Sequence, residues 1–431
     1  MEHSTFTGRP IDREALREAI RHLRLPSTIR QRCANVTVSV AAGESPHFVL
    51  RREKLGEVAR RVARVTRERF PGAVVPMFSR WRQLQVGGID RRILLDSKLG
   101  AIDAAERARA HLDMITVSVL LDASAGDEWR FTEPGSGGRF GQSEGLAVAV
   151  LHGFLGGAFS SDRAQPLRVD AKALEAMDSA RLGRILQVGD GNPLIGLEGR
   201  SAILRRLGAA LREMPEIFVG PGRPGQLLDV LSHATARLGS DGALRRVPVD
   251  RVGAAHVLRA LLKAFAPVWP GNQMLGGKPV GDVWFHPHAG GDGADAQRVP
   301  LHGMAQWLAY SMVEPLMGAG LMVERLDDLT ALPDYRNGGL LIDAGALVPR
   351  HPDYVRQVYT PGDRWVVEWR ALTVTLMDEV ARLVRGELNE PTWPLAKVLE
   401  GGTWAAGREI AAELRPGGPP PVRVSGEGTL L

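Results

Sequence analysis

Apolar residues recur every three or four positions along most of this chain, and that spacing predicts amphipathic α-helices. In residues 55–70, Leu55, Val58, Val62 and Val65 share one face and Arg and Glu residues occupy the opposite face. The same spacing predicts helices over residues 16–23, 104–121, 146–154, 174–186, 200–214, 254–266, 303–317 and 366–384. Strand candidates are limited to residues 37–40 and 168–169. We therefore expect an all-α fold, with a few short strands at most.

Connections rich in Gly and Pro separate these helices, for example at residues 133–141, 269–281 and 416–421. None of them is long enough to mark a linker between domains. We expect one unit over residues 1–431, within which residues 1–110 form an N-terminal helical subdomain and residues 111–431 form a core.

The composition, with 44% hydrophobic and 24% charged residues, is that of a globular protein. Of the 54 basic residues 48 are Arg, and pairs such as Arg51 and Arg52 leave a nucleic-acid surface as an alternative, but we expect no nucleic-acid partner. The single cysteine, Cys33, excludes a disulfide within the chain and a Cys-based zinc site. No signal peptide or apolar run of about 18 residues occurs, so we expect a cytoplasmic protein with no membrane partner. The oligomeric state is not predicted.

A carboxylate, a phenol, a guanidinium and an amide follow one another at Asp334, Tyr335, Arg336 and Asn337. They stand between a helix-like segment and the apolar stretch that begins at Leu340. Such a polar cluster at an element boundary indicates a binding or catalytic site. The alternative is that Asp334 merely caps the helix that follows.

Two further carboxylates stand at the ends of apolar helices. Asp122 follows an apolar segment in which Ser118 lies one turn earlier, and an unpaired carboxylate buried there would be strongly unfavourable. Glu144 follows Ser143 at the start of the next helix, where the helix dipole favours a negative charge. A function in binding and a role in capping are both open for these two residues.

The predicted helix over residues 303–317 carries polar residues at intervals of four, namely His302, Gln306, Tyr310 and Glu314. This interval aligns them on one helical face. The stripe is either a solvated face or part of a site.

Arg370 is surrounded by apolar residues one turn away on each side, so its guanidinium is expected in a low-dielectric setting. An arginine there requires a carboxylate or a phosphate. It therefore binds substrate or forms a structural ion pair, for example with Asp122 or Asp343.

His286 and His288 precede Asp292 and Asp295 in a Gly-rich stretch, which suggests a metal site. The same stretch is typical of a surface turn, and no helical spacing of metal ligands supports it. We expect no metal and no other cofactor.

Seven segments together resemble the uracil-catabolism protein family of fungi and bacteria, and the likeness runs over almost the whole chain. They lie at residues 78–82, 117–126, 143–149, 281–284, 333–340, 367–374 and 397–404. The resemblance implies a role in the ring-opening pathway of uracil degradation.

A second, more distant resemblance is to the queuosine-salvage N-glycosylases, whose catalytic Asp lies in an Asp-Tyr-Arg segment matched here by Asp334, Tyr335 and Arg336. It implies an all-α fold related to helix-hairpin-helix DNA glycosylases and a glycosylase-like catalytic core over residues 111–431. The chain departs from that family at 337–339, where Asn-Gly-Gly replaces Val-Pro-Gln, so base recognition is expected to differ.

Together the resemblances imply an N-glycosidase that releases urea from a ribosylurea or its 5-phosphate, a small nucleoside- or nucleotide-derived substrate. Asp334 is then the catalytic residue, and an anion near the anomeric carbon suits an oxocarbenium-like transition state. Substrate binding is expected from Tyr335, Arg336, Asn337, Asp122, Glu144, His302, Gln306, Glu314 and Arg370. Of these, Asp122, Glu144 or Glu314 orients the urea, and Arg336, Arg370 or His302 holds a phosphate. Two alternatives remain, a metal-dependent amidohydrolase using His286 and His288, and a non-catalytic regulatory or scaffold protein.

Overall fold

A computed structural model of the chain describes residues 12–72, 74–238, 244–271 and 273–425. The α-helices in this part are α1 (Arg13–Leu23), α2 (Pro26–Ala41), α3 (Leu55–Arg69), α4 (Arg91–Leu99), α5 (Ala104–Leu120), α6 (Gln142–Leu155), α7 (Ala171–Glu175), α8 (Ser179–Ile185), α9 (Leu197–Glu213), α10 (Leu227–Leu231), α11 (Ala254–Ala264), α12 (Gly303–Gly318), α13 (Tyr335–Asp343), α14 (Arg364–Leu388), α15 (Leu395–Val398) and α16 (Trp404–Leu414).

The prediction of an all-α fold is wrong, because the structure is mixed, with about 55% helix and 10% strand. The strands are β1 (Phe48–Leu50), β2 (Arg130–Thr132), β3 (Arg139–Gly141), β4 (His233–Leu238), β5 (Leu244–Pro248), β6 (Arg251–Gly253), β7 (Gln273–Leu275), β8 (Lys278–Gly281), β9 (Val283–Phe285), β10 (Arg298–Pro300), β11 (Met322–Glu324), β12 (Leu347–Pro349), β13 (Val358–Tyr359) and β14 (Arg423–Val424). Most of them are too short to show alternation in the sequence, which is why the sequence did not reveal them.

The strands pair two by two rather than forming one continuous sheet. The antiparallel pairs are β1 with β12, β2 with β3, β4 with β5, β7 with β8 and β9 with β10. The parallel pairs are β6 with β11 and β13 with β14. In the β1–β12 pair Val49 lies opposite Val348, so that pairing joins distant parts of the chain.

Most of the predicted helices are confirmed. The two predicted strands are wrong, and one predicted helix is divided into two. Residues 37–40 lie inside α2, and residues 168–169 lie in an irregular segment. Residues 174–186 form α7 and α8 instead of one helix, because Asp178 starts a new helix by accepting a hydrogen bond from the backbone N–H of Arg181.

The core is built around α5, α12 and α14. From Leu112 to Leu120 every residue of α5 is buried, as are most residues of α12, so α12 and the second half of α5 lie inside the protein. Helix α14 packs between α2 and α3, and α16 packs on α13. One hydrophobic cluster extends from Ile29 to Val422.

The predicted boundary between subdomains, after residue 110, falls inside α5. Whether residues 1–110 and 111–431 behave as separate units stays a prediction. In the part of the chain that the structure describes, no helix combines the length and the apolar character needed to cross a bilayer.

Candidate active site

Asp334 immediately precedes α13 and caps it. Its Oδ1 accepts hydrogen bonds from the backbone N–H groups of Arg336 at 2.7 Å and Asn337 at 2.9 Å, and its Oδ2 accepts one from Asn337 Nδ2 at 2.8 Å. The expected cap is therefore present, but it is an unusual one because the residue is only 2% exposed. Burial raises the pKa of Asp334 to about 6. A carboxyl group that titrates near neutral pH suits catalysis as well as capping.

Helix α16 brings Trp404 against Asp334. A Cβ atom on Gly407 would lie 2.6 Å from the carbonyl oxygen of Arg336, so only glycine permits this close packing of α16 on α13. Burial raises the pKa of Asp334, and the indole N–H of Trp404 lowers it and so offsets part of that rise. It has no hydrogen-bond partner that meets normal geometry within the described ranges.

A π-helical turn, Leu399–Thr403, leads directly into α16. Such turns are frequent at functional sites because they shift the side chains that follow around the helix axis. Here the turn packs on α3, where a Cβ atom on Gly402 would lie 2.5 Å from the carbonyl oxygen of Val62. The turn therefore fixes where α16, with Trp404, begins.

Asp122, just past the end of α5, is buried among hydrogen-bond donors. Its Oδ2 lies 2.7 Å from Arg80 Nη1 and 3.0 Å from Trp307 Nε1, and its Oδ1 accepts a hydrogen bond from Ser143 Oγ at 2.6 Å. Arg80 is fully buried and also donates to Ser118 Oγ at 2.9 Å. The carboxylate that the sequence placed at the end of an apolar helix is thus one half of a buried ion pair with Arg80.

Glu144, in the first turn of α6, pairs with Arg408 of α16. The guanidinium reaches the carboxylate with both terminal nitrogens, at 2.5 and 3.1 Å, and lies 5.5 Å from the centre of the Trp404 ring. Burial acts to raise the pKa of Glu144, but hydrogen bonds and charge from Arg408 outweigh burial and hold it below its usual value. Glu144 is therefore ionised at neutral pH.

Tyr335 lies among the charged groups described above. Burial raises the pKa of its phenol, and the charges acting on the phenol are those of Arg336, Arg408, Asp122 and Asp334. The guanidinium of Arg336 lies 4.9 Å from the centre of the Tyr335 ring.

We call this group the polar centre. It consists of Arg80, Asp122, Glu144, Asp334, Tyr335, Arg336, Asn337, Trp404 and Arg408. Six of the residues predicted to act on substrate therefore meet in one place, although they come from α5, α6 and α13.

Arg370 and His302 belong to a neighbouring ion-pair cluster. Arg370 Nη1 and Nη2 lie 2.8 and 2.7 Å from the two carboxylate oxygens of Asp282, and its Nε donates to the carbonyl oxygen of Pro333 at 3.1 Å. The ion-pair partner is thus Asp282, rather than Asp122 or Asp343. His302 Nε2 lies 2.9 Å from the carbonyl oxygen of Leu23, and burial lowers the pKa of His302 to about 4. The cluster positions the residue before Asp334, and substrate binding by Arg370 or His302 stays a prediction.

The polar stripe of α12 does not face one site. Gln306 exchanges hydrogen bonds with Thr330, donating to its Oγ1 and accepting from its backbone N–H, each at 2.8 Å. Glu314 pairs with Arg82 and, at 2.7 Å, with Arg92, and it lines a cavity of about 170 Å³ beside Trp81. Substrate binding by Gln306 and Glu314 stays a prediction, away from the polar centre.

His286 lies 3.2 Å from a carboxylate oxygen of Glu368, and His288 lies 3.7 Å from Glu44. Over the described ranges, no three His, Cys, Asp or Glu side chains are grouped so as to hold a metal ion.

Sequence reasoning gave no role to Arg80, Trp307, Trp404 and Arg408. Arg80 and Trp404 nevertheless lie inside two of the family-like segments, at residues 78–82 and 397–404. A buried arginine and a tryptophan with an unpaired N–H become visible as site residues only when the carboxylates beside them are known.

Comparison with known proteins defines the class. A family model described as "Protein of unknown function (DUF1688)" matches residues 22–431, and the chain belongs to this family. Protein urg3 of Schizosaccharomyces pombe is 36% identical over 415 residues, covering 94% of this chain and 96% of that protein. Uracil catabolism protein 4 of Lachancea kluyveri is 34% identical over 417 residues, covering 90% of this chain and 93% of that protein.

Proposed function

We propose that this protein acts in uracil catabolism and that its polar centre hydrolyses the N-glycosidic bond of a ribosylurea or of its 5-phosphate. The pathway follows from the name of the relative from Lachancea kluyveri, which matches nearly the whole chain. The reaction is supported by one observation above all, the buried Asp334 with a pKa of about 6 beside Tyr335 and Trp404.

In the proposed reaction the bond between the anomeric carbon and the urea nitrogen breaks, and its electron pair leaves with the nitrogen, which takes up a proton. Water adds to the anomeric carbon and loses a proton. The products are urea and ribose or ribose phosphate. The transition state resembles an oxocarbenium ion, so a carboxylate close to the anomeric carbon stabilises it or activates the water.

Asp334 is suited to this role because its pKa of about 6 keeps it mostly ionised at neutral pH but basic enough to accept a proton. Burial strengthens its electrostatic effect, since the low-dielectric surroundings screen charge weakly. Asp122 and Glu144 offer carboxylate oxygens to the N–H groups of urea, and Trp404 offers an N–H to an oxygen atom.

The test is urea release by the purified protein from synthetic ribosylurea and from its 5-phosphate, measured beside Asp334→Asn. We expect urea from the wild-type protein with at least one substrate and a large loss in the variant. Release that persists unchanged in Asp334→Asn would remove the catalytic role of this residue, and no release from either substrate would remove the reaction. The same assay with a metal chelator tests the amidohydrolase alternative. A metal-dependent amidohydrolase would lose its activity when the chelator is added.

A further inference from the structure

The charged groups of the polar centre are matched in number. Three guanidinium groups, those of Arg80, Arg336 and Arg408, lie among three carboxyl groups, those of Asp122, Glu144 and Asp334. Buried charges are strongly unfavourable unless they are paired. An incoming anion must therefore take the place of one of these carboxylates or use N–H groups that have no acceptor.

Arg200, a further buried arginine near Asp122, does not take part in this exchange. Its Nη2 donates to the carbonyl oxygens of Ala123 at 3.0 Å and Ser124 at 2.7 Å, and its Nη1 donates to that of Leu121. Backbone carbonyl groups at the end of α5 therefore provide its acceptors.

The same region holds N–H donors that lack an acceptor. Within the described residues, Arg80 Nη2 and Arg336 Nε are buried and have no hydrogen-bond partner, and Trp404 Nε1, which acts on Asp334, makes no hydrogen bond of normal geometry. Asn337 Oδ1 is an acceptor in the same situation. Buried donors without partners are rare in proteins, so these two, together with the poorly aligned N–H of Trp404, suit a ligand rich in acceptor oxygens.

Arg408 is partly exposed, so an incoming ligand can reach it. Its side chain is 38% exposed, whereas that of Arg80 is 0% exposed. Its fork already binds the carboxylate of Glu144 through both terminal nitrogens, which is also the geometry in which arginine binds phosphate. The charges of both Arg408 and Arg336 act on the phenol of Tyr335, and the guanidinium of Arg336 lies 4.9 Å from the centre of its ring.

We infer that the polar centre binds a phosphorylated ribosyl compound and that Arg408, with Arg336, holds the phosphate in exchange for Glu144. This inference rests on the proposed function for the ribosyl part of the ligand, and it selects ribosylurea 5-phosphate over free ribosylurea. Arg408 thereby determines specificity, and Glu144 holds its guanidinium in place until the phosphate arrives.

The test measures binding of ribose 5-phosphate, ribose and inorganic phosphate by titration calorimetry, and it measures kcat/KM for both ribosylureas. The variants are Arg408→Gln and the double variant Arg408→Gln with Glu144→Gln, which removes both charges so that neither remains buried alone. Arg415→Gln is the matched control, because Arg415 ends the same helix but pairs with Asp343, at 2.6 Å. Thermal melting confirms folding of each variant.

We expect ribose 5-phosphate to bind the wild-type protein and the Arg415 variant more tightly than ribose does. Both Arg408 variants should lose about 10- to 100-fold in affinity for ribose 5-phosphate, the usual effect of a lost bidentate contact with a charged group. The preference for ribosylurea 5-phosphate over ribosylurea, as a ratio of kcat/KM values, should fall by the same factor.

Equal binding of ribose 5-phosphate to the wild-type protein and the Arg408 variants overturns the inference, as does a wild-type protein that binds ribose 5-phosphate no better than ribose. A wild-type protein that cleaves both ribosylureas equally overturns it as well and leaves the proposed reaction standing. If neither ribosylurea is cleaved, the proposed reaction fails, but weaker binding of ribose 5-phosphate in the Arg408 variants still supports the phosphate site.

Discussion

Replacing Asp334 by Asn should make the protein more stable at high pH while it removes activity. Burial shifts the pKa of Asp334 from 3.8 to about 6, a difference of two units that corresponds to about 3 kcal/mol. The folded protein therefore holds this proton more tightly than the unfolded chain. Above pH 6 the buried charge lowers stability, and this penalty disappears as the pH falls through 6 towards 4.

Asparagine carries no charge and caps a helix about as well as aspartate. We therefore expect Asp334→Asn to exceed the wild-type protein in unfolding free energy at pH 8 by up to about 3 kcal/mol, reduced by any hydrogen bond that it makes less well. Near pH 5 the difference in unfolding free energy between the variant and the wild-type protein should be a fraction of its value at pH 8. Guanidinium chloride titrations at both pH values measure it, with an unchanged slope m showing that the same transition is compared.

Activity supplies the second half of this prediction. If the carboxylate of Asp334 is the active form, kcat/KM for urea release should fall about tenfold per pH unit below 6, and Asp334→Asn should lose about 10²- to 10⁴-fold at pH 8. Asp343→Asn, which removes a carboxylate from the other end of α13, is the control. A stability difference that is equal at pH 5 and pH 8 would refute the reasoning from burial, and a wild-type rate independent of pH between 5 and 8 would refute the assignment of the active form.

Three further substitutions test the surroundings of the polar centre. Trp404→Phe removes the N–H that lowers the pKa of Asp334, so the midpoint of the pH–rate profile should move up, whereas Trp369→Phe, which removes a different buried indole N–H, should leave it in place. Gly407→Ala should separate α16 from α13 and reduce urea release at least tenfold, because its Cβ atom would lie 2.6 Å from a backbone carbonyl oxygen. Its control is Gly386→Ala on α14, where the Cβ atom meets nothing within 4 Å; this variant should stabilise the protein by up to about 1 kcal/mol. Asp282→Asn leaves its arginine partner buried without a counter-charge and should destabilise by about 3–5 kcal/mol in a denaturant titration. Equal activity of the two alanine variants, or an Asp282 variant as stable as the wild-type protein, would contradict the packing and charge arguments.

Much of the helical framework can be predicted from the sequence, because long amphipathic segments such as α3 carry their own signal. The strands cannot be predicted from the sequence, since β13 has two residues and β1 pairs with β12 from a distant part of the chain. Residues 37–40, which have the composition of a strand, lie in α2 because tertiary packing overrides a weak local preference.

The carboxylates of the site are visible in the sequence because a charged residue beside an apolar helix is unusual, as at Asp122 and Asp334. Their partners are not visible, since the chain has 48 arginines and the one that matters most here, Arg408, looks like any residue of a polar helical face. The stripe of α12 shows what equal spacing alone does not reveal. Equal spacing placed Gln306 and Glu314 on one face, but helices packed around α12 give each of them a separate environment.

The close packing of α16 on α13 has a consequence for the order in which the protein acquires its properties. A ribosome delivers the chain from its N-terminus, so Arg80 and Asp122 are synthesised long before Trp404 and Arg408 exist. Contacts between residues so far apart in sequence form late and slowly. A nascent chain therefore has no complete polar centre until its last helix has been made, and this centre is among the last features to appear during its synthesis.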